Sequence, residues 1–259
     1  MRAVLILVFI LLCSLFQAQS TSHLRLSTRY LNHYSLSDTP PECPNTKESD
    51  TTSSFYDWIL NYAYPYASCS DSSLSGLINR AVRSTLDYTG KPERVRKVHW
   101  NCPADKPGQE VMNYRLCIKN EQFLSFTLFK DTEPAGFGNG FAHVAWPFTF
   151  DLKKKKILVL NDILKAEADS TLSKRVWESI KTSGANLEGL TEEESSQTST
   201  AGFSVMHFYF ALTRHSLRIY VPLNYGGKSS YEDFEFKLSD LESLLSDARL
   251  LAFVKAGKK

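Results

Sequence analysis

Five cysteines in 259 residues are too few for a disulfide-dense scaffold, and no Cys-x-x-Cys pair is present to hold zinc or run dithiol chemistry. Charge of one sign is missing too. With 30 Lys+Arg against 28 Asp+Glu the formal net charge is only +2, without the concentrated basic excess of a nucleic-acid groove. Beyond the first residues no apolar run approaches the roughly 18 residues that cross a bilayer. Catalytic signatures are equally sparse: there is no Gly-x-Ser-x-Gly elbow, no His-Glu-x-x-His and no phosphate-binding glycine loop with its Lys-Ser/Thr. These absences favour a non-enzymatic reading without cofactor or metal. A hydrolase with a carboxylate pair stays open, because such a pair is defined by its separation in space.

What is present starts with compartment. Arg2 precedes an apolar run from Ala3 to Leu12, continued through Phe16, and Ala18-Gln19-Ser20 offers small residues at a cleavage spacing. Residues 1–20 therefore read as a signal peptide, and the mature chain is expected to be secreted or periplasmic with no membrane span. Cys13 leaves with that peptide. The remaining Cys43, Cys69, Cys102 and Cys117 are an even set in an exported chain, which favours disulfides. Pairing Cys43 with Cys69 and Cys102 with Cys117 is preferred, the latter across the turn-rich Pro103–Gly108 stretch. Closing a loop of that length contributes roughly 3 kcal/mol in the chain-entropy model.

Residues 21–54 are rich in Ser, Thr, Asp and Pro and read as an extended, low-order segment. The aromatic run from Phe55 to Tyr66 reads as packing. A helix follows, capped by Asp71 or Ser72, with Leu74, Leu77, Ile78 and Ala81 on one face and Gly90 placed to end it. The period then changes to two. Met112, Tyr114, Leu116 and Ile118 mark one strand, Leu124, Phe126 and Leu128 the next, and Trp146, Phe148 and Phe150 a third. Lys153–Lys156 reads as a solvated hairpin turn rather than a phosphate site. Leu172, Val176 and Ile180 mark a helix over 170–182, and the acidic stretch 187–202 reads as a surface connection. Phe203–Phe210, apolar on both faces, predicts a central strand, followed by strands through Leu217–Val221 and Phe234–Leu238. Ser239-Asp240-Leu241-Glu242 is a capping box for a final helix carrying Leu241, Leu244, Leu245 and Ala248. The class expected is α+β, with antiparallel sheets and packed helices.

Two features stand out as candidate binding elements. Gly136-Phe137-Gly138-Asn139-Gly140, with His143 just beyond, can form a loop whose backbone approaches a ligand closely; a re-aimed turn is the plainer alternative. His207 and His215 could face each other on adjacent strands, though core or surface histidines are commoner than metal pairs.

Leu124-Ser125-Phe126, the glycine-rich loop, Phe150-Asp151-Leu152-Lys153 and the continuation Leu160-Asn161-Asp162-Ile163-Leu164 resemble the RsiV-like extracytoplasmic domain of DUF3298/DUF4163 type. Tyr64-Pro65 and Leu77-Ile78-Asn79 are similar to the upstream half, and Val221-Pro222-Leu223 with Phe236–Leu241 to the closing segment. The resemblance implies a DUF4163-like half over 55–135 and a DUF3298-like half over 136–259. It also implies an exported module without catalysis, whose partner is peptidoglycan or a lysozyme-like protein. Family members often carry a Gly-Gly-Ala-His loop, whereas here the histidine, His143, follows the loop instead of sitting inside it.

Overall fold

A computed structural model describes residues 24–37, 55–86, 108–133, 142–183, 186–187, 203–225 and 228–256. The first sheet takes strands β1 (Arg25–Ser37), β2 (Phe55–Ser68), β3 (Gly108–Lys119), β4 (Phe123–Glu133), β5 (Ala142–Asp151) and β6 (Lys156–Ile157), in that spatial order. The second is built on β9 (Ser216–Tyr225), flanked by β10 (Lys228–Lys237), with β7 (Asn186–Leu187) and the short β8 (Phe210–Leu212) also pairing with β9. Helices α1 (Ser72–Arg83), α2 (Ala168–Ser183) and α3 (Ala248–Ala256) complete an α+β architecture. The sequence-expected halves share the first sheet, since β5 and β6 extend it beyond residue 136.

Alternation explains the layering. In β4 the even residues Leu124, Phe126 and Leu128 meet Phe148 and Phe150 of β5, and this face is closed by Leu74, Ile78, Ala81 and Val82 of α1. Asp71 caps α1 by accepting the N–H groups of Ser73 and Leu74, both at 3.1 Å. Asn79 clips the helix to β2: it accepts from the Ala67 N–H at 2.8 Å and donates to the Ala67 carbonyl at 2.9 Å. The second core lies where Leu172, Val176 and Ile180 of α2 meet Leu217, Ile219, Val221 and Leu223 of β9, joined by Leu250 and Val254 of α3.

The lysine-rich turn between β5 and β6 forms as the pattern predicts. Asp151 accepts the N–H groups of Lys153 and Lys154 at 3.0 and 2.9 Å, and Lys155 takes the left-handed conformation at φ 52 that closes so tight a turn. Lys155 in turn reaches the Asp71 carboxylate at 2.7 Å.

Four expectations need correction. The low-order reading of residues 21–54 fails at Arg25–Ser37, which is a paired edge strand whose backbone bonds to β2 compensate for its polar side chains. The sheets are not wholly antiparallel, because β2 and β3 run parallel over Trp58–Tyr62. Phe203–Phe210 is no central strand: only Phe210 begins one, while the Phe208 N–H turns back to the Val205 carbonyl at 2.9 Å. The capping box at Ser239 starts no long helix. There the chain is drawn into tertiary bonds, Lys165 N–H to Leu244 carbonyl and Ser246 N–H to Ile163 carbonyl, each 2.8 Å, so only a single 3-10 turn forms at Glu242–Leu244. The helix begins at Ala248.

Among the described residues Cys69 and Cys117 are bonded to no other cysteine. Their expected partners, Cys43 and Cys102, lie outside the described residues, as do residues 1–20 and the 188–202 connection.

Candidate functional site

The odd-numbered face of β4 turns away from α1 toward the second sheet. Its deep end is polar and closed. Ser125 and Thr149, both fully buried, share a hydroxyl bond of 2.9 Å; Thr149 donates to the Phe210 carbonyl at 2.7 Å and Ser125 accepts the Leu212 N–H at 2.9 Å. These bonds fix β8, and with it β9, against β4 and β5. Farther along the same face come Thr127, Phe129 and Asp131, with Arg115 of β3 opposite Thr127 and His143 of β5 opposite Asp131.

Three rings meet where this face approaches β9 and β10. Phe129 lies 6.0 Å from both Tyr220 and Tyr231, and the two tyrosines are 5.6 Å apart, so the rings close a triangle. The Arg115 guanidinium stands 5.3 Å over the Phe129 ring. Burial falls off along the face: Thr127 is sealed, Tyr220 is 6% exposed, Phe129 and Tyr231 are half-buried, and Arg115 and Asp233 are exposed. The result is a cluster of aromatic rings, partly buried and bordered by charged groups.

The charges are organised. Arg218 reaches Glu235 at 2.8 Å and Asp233 at 3.5 Å, while its Nε is buried without a hydrogen-bond partner. Burial pushes the Tyr220 and Tyr231 hydroxyls upward, and the neighbouring Asp233 charge adds to both; Asp131 lies close enough to raise Tyr231 further. Both phenols are therefore neutral donors at physiological pH. Burial likewise pushes the Cys117 thiol up, against the lowering pull of Thr127 beside it.

At the rim His143 Nδ1 and Asp131 Oδ1 are 2.7 Å apart, both well exposed. The dyad orients the imidazole, yet among described residues no hydroxyl or thiol is bonded to the ring, so no nucleophile is set against it. The expected binding residues Gly136, Phe137, Gly138, Asn139 and Gly140 fall in 134–141, between β4 and β5 in sequence, and lie outside the described residues. Of the sequence-expected binding residues, His143 is described, and it pairs with Asp131, two residues along β4 from Phe129. His207 and His215 are brought to no metal-binding group: both are exposed, and among described residues no set of three His, Cys, Asp or Glu could hold an ion.

The sequence pattern missed Arg115, Phe129, Arg218, Tyr220 and Tyr231. Each belongs to a different stretch of chain, and only the packing of two sheets assembles them. A usable signal did exist in Arg218 and Tyr220, polar groups on the alternate face of a strand whose other face is aliphatic.

The architecture matches a solved structure of a DUF3298 family member from Bacteroides fragilis with a TM-score of 0.50 at 12% identity, covering 92% of this chain and 99% of that one. The chain has a DUF3298-type fold. A DUF3298 family protein from Pseudomonas aeruginosa aligns with a TM-score of 0.43 at 13% identity, covering 87% of this chain and 96% of that one. No family model matches the sequence, and no curated protein does.

Proposed function

We propose that this DUF3298-type chain is an exported binding module without catalysis of its own, and that its ligand is the glycan of a cell wall, held at the aromatic cluster between β4 and the β9–β10 hairpin. The observation that carries this reading is the ring triangle of Phe129, Tyr220 and Tyr231 with Arg115, Asp131 and Asp233 around it. A pyranose offers an apolar C–H face and a rim of hydroxyls. Aromatic rings take the first, and fixed guanidinium and carboxylate groups take the second. Peptidoglycan adds carboxylates, for which the exposed Arg115 supplies donors.

The signal-like residues 1–20 support export to a secreted or periplasmic location, where Cys43–Cys69 and Cys102–Cys117 disulfides would form. His143, paired with Asp131, belongs to the binding face in this reading. Neither nucleic acid nor membrane enters it.

The test is co-sedimentation of the mature chain, residues 21–259, with insoluble peptidoglycan, beside a titration with lysozyme. Saturable retention on the glycan without release of soluble fragments is the expected result. Retention of lysozyme alone would replace the glycan with a protein partner. Release of fragments would instead favour a hydrolase, which needs two carboxyl groups about 5–10 Å apart in one cleft.

A further inference from the structure

A concavity lies where the β8–β9 turn and the end of β10 meet α3. It has a volume of about 310 Å³, and its lining includes Arg214, Glu235, Lys237, Leu238, Phe253 and Val254. That volume is at the small end of the range for ligand cavities, roughly 300–1,000 Å³, and suits a short chain rather than a polymer.

Its chemistry is two-sided. Leu238, Phe253 and Val254 provide an apolar wall, two strands' ends and a helix contributing one surface. Arg214, His215 and Lys237 bring basic nitrogen to the lining, against a single lining carboxylate, Glu235. Glu235 is already engaged. Its carboxyl is held below the usual glutamate range first by the Ser216 hydroxyl and then by Arg218, which bonds it at 2.8 Å. Arg214 and Lys237, both exposed, have no ion pair with any described residue. Arg214, His215 and Lys237 therefore outnumber the one lining carboxylate, Glu235, which Ser216, Arg218 and Lys237 already stabilise, and they share the cavity with the apolar Leu238, Phe253 and Val254.

We propose that this cavity binds a small monocarboxylate with an apolar tail, of the medium-chain fatty acid class, with its carboxylate between Arg214 and Lys237 and its tail on Phe253 and Val254. Charge complementarity selects the headgroup, and the limited volume selects tail length. The cavity adjoins the Arg218–Glu235 pair but uses none of Phe129, Tyr220 and Tyr231, and its ligand class is tested separately from the glycan.

Calorimetric titration of the mature chain with octanoate, octanol and acetate at constant ionic strength tests it. Octanoate should saturate one site, with octanol and acetate at least tenfold weaker because each lacks one half of the recognised chemistry. The double substitution Arg214→Gln with Lys237→Gln should weaken octanoate at least tenfold, and Ser239→Trp, which fills the opening from an exposed position, should abolish it. Equal binding of octanoate and octanol, unchanged affinity in the double variant, or no saturable octanoate binding would each overturn the proposal.

Discussion

Arg249 of α3 donates to Asp151 at the end of β5 across 98 residues of sequence, at 2.8 Å, with the Asp151 side chain fully buried. The same guanidinium holds Asp247 at 2.6 Å and lies 4.7 Å over the Phe123 ring. One side chain thus ties the C-terminal helix to the Phe-Asp-Leu turn of the first sheet. Replacing Arg249 with Leu leaves Asp151 buried and unpaired, and should cost about 3–5 kcal/mol in urea unfolding. Loss of under about 1 kcal/mol would show that the pair is not needed to hold α3.

Acid should act through the same group. Burial pushes Asp151 and Asp247 upward, but the Arg249 hydrogen bonds, backbone N–H donors and its charge outweigh that and hold both carboxyls below the ordinary aspartate value of 3.8. Asp71 is held well below it too, first by Lys155 and then by Ser73. A carboxyl whose folded pKa is lowered contributes stability that is present above its unfolded pKa and lost as pH falls toward its folded pKa. Urea midpoints should therefore be flat from neutral pH down to about 5 and drop below about 4. The Arg249→Leu protein should show a shallower drop; identical acid profiles would contradict the assignment.

The Ser125–Thr149 pair makes a sharper packing prediction. Thr149→Val keeps the shape but orphans the Phe210 carbonyl and one Ser125 bond, both in sealed surroundings. A cost of about 1–3 kcal/mol is expected. Faster amide exchange at Leu212 is expected alongside, since its N–H rests on Ser125.

Cys69 and Cys117 give a chemical check on export. Mass spectrometry of the protein secreted under oxidising conditions should find Cys43 linked to Cys69 and Cys102 to Cys117. A crosslink between other partners, or four alkylatable thiols without reduction, would remove the disulfide expectation.

Much of the scaffold is written locally. Leu74, Ile78 and Ala81 mark α1, and Leu124, Phe126 and Leu128 mark β4, because in each the apolar spacing matches the face that is buried. Legibility ends where tertiary bonds overrule local preference. Ser239 and Glu242 have the residues of a helix cap, yet the Leu244 carbonyl and Ser246 N–H are taken by Lys165 and Ile163, and the helix waits until Ala248. Arg25–Ser37 reads as loop because nothing in its polar side chains announces a strand; its partner does. The aromatic cluster was not legible, since Phe129, Tyr220 and Tyr231 come together by sheet packing that no local pattern encodes.

The direct test of the glycan site compares three proteins in a peptidoglycan co-sedimentation isotherm: wild type, Tyr231→Ala and Tyr30→Ala. Tyr30 is 75% exposed on β1, away from the cluster, and controls for adventitious stacking on an aromatic surface. Tyr231→Ala should weaken retention about tenfold, on the order of 1.4 kcal/mol, with Tyr30→Ala indistinguishable from wild type. Equal retention of all three, or a loss confined to Tyr30→Ala, would contradict the placement of the glycan between β4 and the β9–β10 hairpin.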